Sequence, residues 1–327
     1  GRNSVWSSGS TVRAVLGIQG EPSQPDNPAE GLVWSAIVNQ IDHPGSESEW
    51  ISVTDLDREA LRSHPWSLSG GGAADLLDHL DNYRANKLGQ VTPLIGVFGM
   101  TNADDVMLAP RGSWLRRTGD LSLTRRLVLG DEIRDWLLSG GVESFFPYGV
   151  DGILLPLEEA GGYLKWMWPT RTVIGNRATF NKKTYFEEGR SWYQWHQVTW
   201  RSDAHPFYIT FAFVATHNHF VLDRGGKVFN RSAPVIKLPK DATEDQHLEL
   251  LGVLNSSTAC FWLKQVSQSK GNGGIGGGIS DELWEHRYEF TSTKLQEFPL
   301  PASLPLDRAR ELDSLAQRLS SLEPSAV

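Results

Sequence analysis

Phe207-Tyr208-Ile209-Thr210-Phe211-Ala212-Phe213-Val214 is the stretch that sets the fold class. Its β-branched and aromatic residues predict a strand. Phe229 and Val235-Ile236-Lys237-Leu238 continue the same sheet. Upstream, Leu94-Ile95-Gly96-Val97-Phe98, the run ending at Val128-Leu129 and Ile153-Leu154-Leu155-Pro156 read as further strands. Downstream the periodicity turns helical. Thr243 with Gln246 forms a capping box that opens a helix to Asn255. A second helix spans Thr258 to Val266, and a third, amphipathic, runs from Leu306 to Leu322 with Leu312, Leu315, Leu319 and Leu322 on one stripe. Toward the N-terminus, Thr11 to Leu16 and Trp50 to Val53 predict short strands, and Leu32 to Val38 a helix after Pro28-Ala29-Glu30-Gly31. Leu76, Leu77, Leu80, Tyr83 and Leu88 share a helical face, with Gly89 as the expected C-cap. The class is therefore α+β. A mixed, twisted sheet occupies residues 93–300, a helical linker covers 63–92, and a C-terminal helix lies within 301–327.

Composition limits what such a chain can be. Of 327 residues, 39% are hydrophobic and 21% charged, close to a soluble globular average. No run of about 18 apolar residues occurs, so no membrane span is expected. One cysteine, Cys260, excludes a disulfide framework and a multi-thiolate zinc site. Its setting, Ala259-Cys260-Phe261-Trp262, predicts a buried, inert thiol. The polar start lacks the apolar core of a signal peptide, and the cytoplasm is the expected compartment.

Net charge is −8, but it is unevenly spread. Residues 1–92 carry a net −6, whereas residues 161–240 hold 12 Lys and Arg against 4 Asp and Glu, net +8. A basic island in an acidic chain is the electrostatic footprint of a polyanion. Within it, Arg171, Arg177, Lys182, Lys183, Arg190 and Arg201 alternate with Phe180, Tyr185, Phe186, Trp192, Tyr193, Trp195 and Trp200. Cations neutralise phosphates, and arginine reads guanine edges bidentately. Gln194 and His196 are placed to reach base edges, and Arg224, Arg231 and Lys270 sit on flanking loops. The competing reading makes the tryptophans core and the cations a solvated face.

Other motifs are weaker. Gly271-Asn272-Gly273-Gly274-Ile275-Gly276 matches G-x-G-x-x-G, yet it follows a helix rather than a strand, so it reads as a flexible loop. His217 and His219 in Thr216-His217-Asn218-His219 would share one side of a strand, with His205 or Asp223 as a third ligand. The preferred reading is polar residues closing a strand turn or touching DNA, with no metal, although the string invites comparison with HNH nucleases. The carboxylate pairs Asp104-Asp105 and Glu158-Glu159 point apart on strands and make no acid–base dyad. No G-x-S-x-G, H-E-x-x-H, Walker A or Cys-x-x-Cys motif is present.

Five stretches taken together carry a family resemblance. They are Thr11 to Ser23, His64 to Ala73, Glu188 to Gln197, Thr216 to Asp223, and Leu254-Asn255-Ser256-Ser257 with Phe298-Pro299-Leu300-Pro301. The chain resembles the C-terminal part of the PglX family, adenine-specific DNA methyltransferases of BREX phage-defence systems. The last pair of motifs is also similar to the specificity domains of TaqI-like and Eco57I-like modification enzymes. The family's Asn-Pro-Pro-Tyr motif is missing, since Asn27-Pro28 is followed by Ala29, and no S-adenosylmethionine loop is found. The resemblance therefore implies a division of labour. Residues 1–62 would be the trailing end of a catalytic domain, and residues 93–300 a target-recognition domain for double-stranded DNA. Base flipping and methyl transfer would belong to the parent enzyme's catalytic domain, which holds S-adenosylmethionine. This chain alone would be non-catalytic and hold no cofactor. Its partners would be duplex DNA, the catalytic domain of the same polypeptide and other defence-system proteins. The alternatives are a metal-dependent nuclease built on His217 and His219, or a protein-interaction module.

Overall fold

The computed structural model of the protein describes residues 11–62, 66, 68–199, 206–270 and 286–322. The chain divides into two compact units, Gly1–Ala85 and Asn86–Val327. Both combine small sheets with helices, the α+β arrangement expected. Among the described residues no helix is long and apolar enough to cross a membrane.

In the first unit Thr11–Gly17 pairs antiparallel with Ile51–Asp57, from Thr11↔Asp57 to Gly17↔Ile51. Ile51 and Val53 are buried on one face of the pair and Leu16, opposite Ser52, on the other. Helix Leu32–Gln40 has no capping side chain at Gly31. The Glu21 carboxylate takes that role, accepting the N–H of Leu32 at 2.8 Å and of Val33 at 2.9 Å. An anion there satisfies orphan donors and matches the positive end of the helix dipole. A second helix, Ala73–Asn82, starts after Gly72, whose φ of 77° is left-handed.

That helix stops at Tyr83 instead of running to Gly89. Residues Asn86–Lys87 are drawn into a strand against Pro299–Leu300. Leu88 follows as a fully buried residue in the short helix Leu88–Val91. Long-range pairing in the second unit thus overrides a local helical pattern.

Two four-stranded sheets form the second unit's framework. One has the order Lys227–Phe229, Thr124–Val128, Val142–Phe145, Leu108–Pro110; its first pair is parallel and the others antiparallel. The other, fully antiparallel, has the order Phe220–Asp223, Tyr208–Phe211, Val235–Lys237, Leu94–Gly96. The chain passes from the second sheet to the first through Arg224-Gly225-Gly226, where both glycines have positive φ. Phe98, Tyr208 and Phe229 pack edge to face where the sheets meet, with centroids 5.5 to 6.1 Å apart.

The strand that sets the class is shorter than its composition suggests. Tyr208–Phe211 is a central strand, and Val214–Ala215 pairs separately with Tyr288–Glu289. The ladder to the neighbouring strand ends at Thr210↔Val235, beyond which Pro234 has no N–H to donate. Residues 153–156 form only the single bridge Tyr148↔Leu154.

The helices are closer to expectation. Thr243 caps Glu244–Leu254, accepting the Gln246 N–H at 3.3 Å while the Gln246 side chain accepts the Thr243 N–H at 2.8 Å. Ser256 caps Ser257–Val266, on which Cys260 is part-exposed rather than buried. Helix Leu306–Leu322 packs on Glu244–Leu254, but through its small residues. Ala309, Asp313 and Ala316 are buried, while Leu312, Leu315, Leu319 and Leu322 are exposed. Gly252 explains this, because a Cβ there would lie 2.9 Å from the Ala309 Cβ. The two helices approach too closely for a leucine in the seam.

Candidate nucleic-acid interface

The basic, aromatic stretch divides into an inner and an outer set. The inner set is the core of the second unit. Trp195 is fully buried, donating its indole N–H to the Phe145 carbonyl at 2.7 Å and its backbone N–H to the Tyr148 hydroxyl at 2.9 Å. Burial pushes the Tyr148 phenol up to about 12. Gly99 passes so close to the Trp195 ring that a Cβ would sit 2.9 Å from it. Trp192 and Tyr193 are also buried, the Tyr193 hydroxyl donating to the Leu155 carbonyl at 2.7 Å. The aromatic alternation therefore reports packing.

Arg177 belongs to the same interior. Its Nε donates to the Ile174 carbonyl at 2.7 Å, and one terminal nitrogen to those of Trp192 and Gln194, both at 2.9 Å. The other terminal nitrogen donates to the Thr101 carbonyl. The guanidinium also lies 4.2 Å from the centroid of the Tyr185 ring. Burial lowers its pKa, with the neighbouring Arg190 charge adding to the effect. Arg190 lies over the same ring at 4.4 Å and donates to the His196 carbonyl at 2.9 Å. His196 is 4% exposed, and its Nδ1 lies 3.0 Å from the Tyr185 hydroxyl. Burial, with the two arginines, moves its pKa down. Gln194 is half-buried. Of these residues, expected as DNA contacts, Arg177 is directed inward onto four carbonyls, Arg190 is half-buried and bonds the His196 carbonyl, and the His196 ring is buried against the Tyr185 hydroxyl.

The outer set lies on a hairpin that this interior supports. Ala178 and Thr184 bridge, and Thr179 donates its N–H to the Lys183 carbonyl at 2.7 Å. Lys182 donates to the Thr179 carbonyl at 3.0 Å and has φ 60°. A three-residue loop of this kind ends in a left-handed residue, usually glycine; here a lysine occupies that place. Glu188 pins the loop, accepting from the Thr179 hydroxyl at 2.8 Å and the Asn181 amide at 2.9 Å. Those two bonds, the Asn181 one foremost, hold the Glu188 carboxyl below the usual range. Phe180 projects from the tip, 71% exposed, its ring edge on His196. Lys182 and Lys183 follow it in the same loop and are exposed. Arg171, also exposed, lies within 5.3 Å of the Trp168 and Phe186 ring centroids. Phe186 in turn crosses Gly175 so closely that a Cβ there would meet its ring at 2.1 Å.

The remaining expected contacts are dispersed. Arg224 bonds to Glu244 and Asp313, both at 2.7 Å, and ties a sheet to two helices. Lys270 pairs with Glu289 at 2.7 Å. Arg231 is exposed and lines a cleft of about 470 Å³ with Thr101, Asn102, Asp104, Asp105 and Asn230. Arg201, Trp200 and the glycine loop at 271–278 lie outside the described residues.

Two of the quoted motifs interlock. Asn255 accepts the Phe220 N–H at 3.0 Å and donates to the Phe220 carbonyl at 2.9 Å, acting as one rung of a sheet. Asn218 is buried and donates to the Leu254 carbonyl at 2.6 Å. The Leu-Asn-Ser turn is therefore an anchor between helix and sheet. Beside it, His217 and His219 come together with Asp135, a residue from a distant hairpin. Asp223 is elsewhere, buried against Lys227 with its pKa raised by burial, and His205 lies outside the described residues.

No family model matches the chain. An adenine-specific methyltransferase, PglX, of Streptomyces coelicolor is 49% identical over 320 residues. That alignment covers 97% of this chain and 26% of the relative, so the chain spans about a quarter of that protein's length. Among solved structures, the type IIL restriction-modification enzyme MmeI in complex with DNA is 12% identical, with a TM-score of 0.42, covering 74% of this chain and 29% of its own. The type IIG restriction endonuclease BpuSI is 10% identical with a TM-score of 0.47, covering 94% of this chain and 35% of its own. At such scores neither likeness bears on function.

Proposed function

We propose that this chain is the DNA target-recognition part of an adenine-specific methyltransferase of the phage-defence type, working beside a catalytic domain that binds S-adenosylmethionine. The observation that carries the reading is the outer hairpin, with exposed Phe180 followed by exposed Lys182 and Lys183, and with exposed Arg171 against Phe186 two residues past its end. Cations there neutralise phosphates, and a projecting aromatic ring can stack on or wedge against bases. The 49% identity to an adenine-specific methyltransferase supports the parent activity. The reading of residues 1–62 as the trailing end of the catalytic domain is supported by helix Leu32–Gln40, which buries none of its residues and exposes Leu32, Trp34 and Val38.

A titration against a pool of short duplexes at several salt concentrations tests this. Expected are enrichment of one sequence and a steep fall in affinity with salt. Replacing Arg171, Lys182 and Lys183 together by alanine should flatten the slope of log K against log salt by about 2.7, at about 0.9 per phosphate contact. An unchanged slope would move the interface away from this hairpin. Binding without any salt dependence would overturn the reading.

A further inference from the structure

The two histidines of Thr216-His217-Asn218-His219 meet a carboxylate brought from another part of the second unit. Asp135 and Trp136 form the two-residue turn between the paired segments Ile133–Arg134 and Leu137–Leu138. Both have left-handed backbones, with φ 39° and 74°. Such a turn favours Asn-Gly, because a Cβ is disfavoured at positive φ. Aspartate is accepted at the first position, but tryptophan at the second is a costly choice, and strain of this kind gathers at ligand clamps.

The polar atoms in the turn are not satisfied by each other. His219 is 3% exposed. Its Nδ1 accepts the Asp135 N–H at 3.3 Å and also lies 3.1 Å from Asp135 Oδ1. One ring nitrogen cannot accept the N–H and donate to the carboxylate at once. With Nδ1 unprotonated, two acceptors face each other with no proton between them, and a cation taking that lone pair would replace the 3.3 Å contact to the N–H. His217 Nε2 points at the same oxygen from 3.8 Å, and the two imidazole rings lie 4.1 Å apart. Thr216 Oγ1 lies 3.0 Å from His217 Nδ1. A proton held there leaves Nε2 with a free lone pair, the arrangement that outer-shell partners give metal-binding histidines.

We infer that Asp135, His217 and His219 bind one zinc-like divalent cation that clips the Asp135–Trp136 turn to the segment before strand Phe220–Asp223. Ligands 2.0–2.1 Å from a tetrahedral zinc stand about 3.3–3.4 Å apart, and the separations of 3.1 and 3.8 Å bracket that value. Two imidazoles with one carboxylate favour zinc and its transition-metal neighbours over magnesium or calcium. Asp135 is 78% and His217 47% exposed at the side chain, so a cation can enter from solvent and keep a water as fourth ligand.

Zinc titration of the untagged, chelator-treated chain, followed by equilibrium dialysis with metal analysis, tests this. One zinc per chain and a raised melting temperature are expected, with magnesium unable to compete. His217→Ala should weaken the site at least tenfold. Asp135→Asn should do the same while keeping the turn, since asparagine tolerates the left-handed backbone. Both replaced groups are solvent-exposed, so a metal-free melting temperature equal to wild type verifies folding. Uptake well below one equivalent, or equal uptake by wild type and both variants, overturns the assignment.

Discussion

Replacing Arg177 by alanine should cost about 3–5 kcal/mol of stability, a magnitude that follows from its partners. Four carbonyls, those of Thr101, Ile174, Trp192 and Gln194, converge on one guanidinium. Hydrogen bonds to a charged group contribute about 1.5–3 kcal/mol each, and a cation over a partly desolvated ring about 0.5–2. Their sum overstates the net, because desolvation of the guanidinium opposes it and lowers its pKa. Water reaching some of the freed carbonyls offsets a further part, and with each buried carbonyl left unpaired costing about 1–3 kcal/mol the loss comes to about 3–5 kcal/mol. The loss is a large share of an ordinary domain's stability. Urea unfolding followed by tryptophan fluorescence measures it. Arg177→Lys should fall near the alanine variant, since a point charge cannot serve four carbonyls in a fork. Arg171→Ala should change stability by less than about 0.5 kcal/mol, as other surface substitutions do. An Arg177→Ala loss below about 1 kcal/mol would refute the reasoning and return Arg177 to the candidates for DNA contact.

Asn255→Ala removes both bonds to the Phe220 backbone and should destabilise by about 2–3 kcal/mol, read by the same unfolding assay. Because the Glu188 carboxyl is held below the usual range, its contribution is present above the ordinary carboxylate pKa and is lost as pH falls through the lower folded value. Hydrogen exchange at residues 180–183 should accelerate in that acid window, and Glu188→Gln should abolish the pH dependence. Ala309→Leu should overpack the seam beside Gly252 and cost about 1–3 kcal/mol, whereas Leu315→Ser on the exposed stripe should lie within about 0.5 kcal/mol of wild type. Thermal melts of the two variants compare the faces directly.

Local chemistry was legible in the sequence. The Thr243–Gln246 capping box and the Leu306–Leu322 helix depend on neighbours a few residues away and stand as read, while the strand expected over 207–214 keeps only Tyr208–Phe211. Charge distribution likewise located the basic island. What the sequence could not assign was direction. Arg171 and Arg177 are the same residue type six positions apart, yet one faces solvent and the other holds four carbonyls from three segments of chain. The aromatic run at 192–196 has the composition of a stacking surface, and burial makes it a core. The leucine stripe of the last helix is a genuine periodicity, but Gly252 decided that the alanine face would be the buried one. Asp135 joined the two histidines from a hairpin more than eighty residues away, with no local signal to mark it. Sequence by itself determined the helices at 243–266 and 306–322 and the placement of charge, because those follow from nearest-neighbour propensity and composition. Only the tertiary structure decided which donors meet which acceptors, because burial and hydrogen-bond pairing are set by segments distant in the chain.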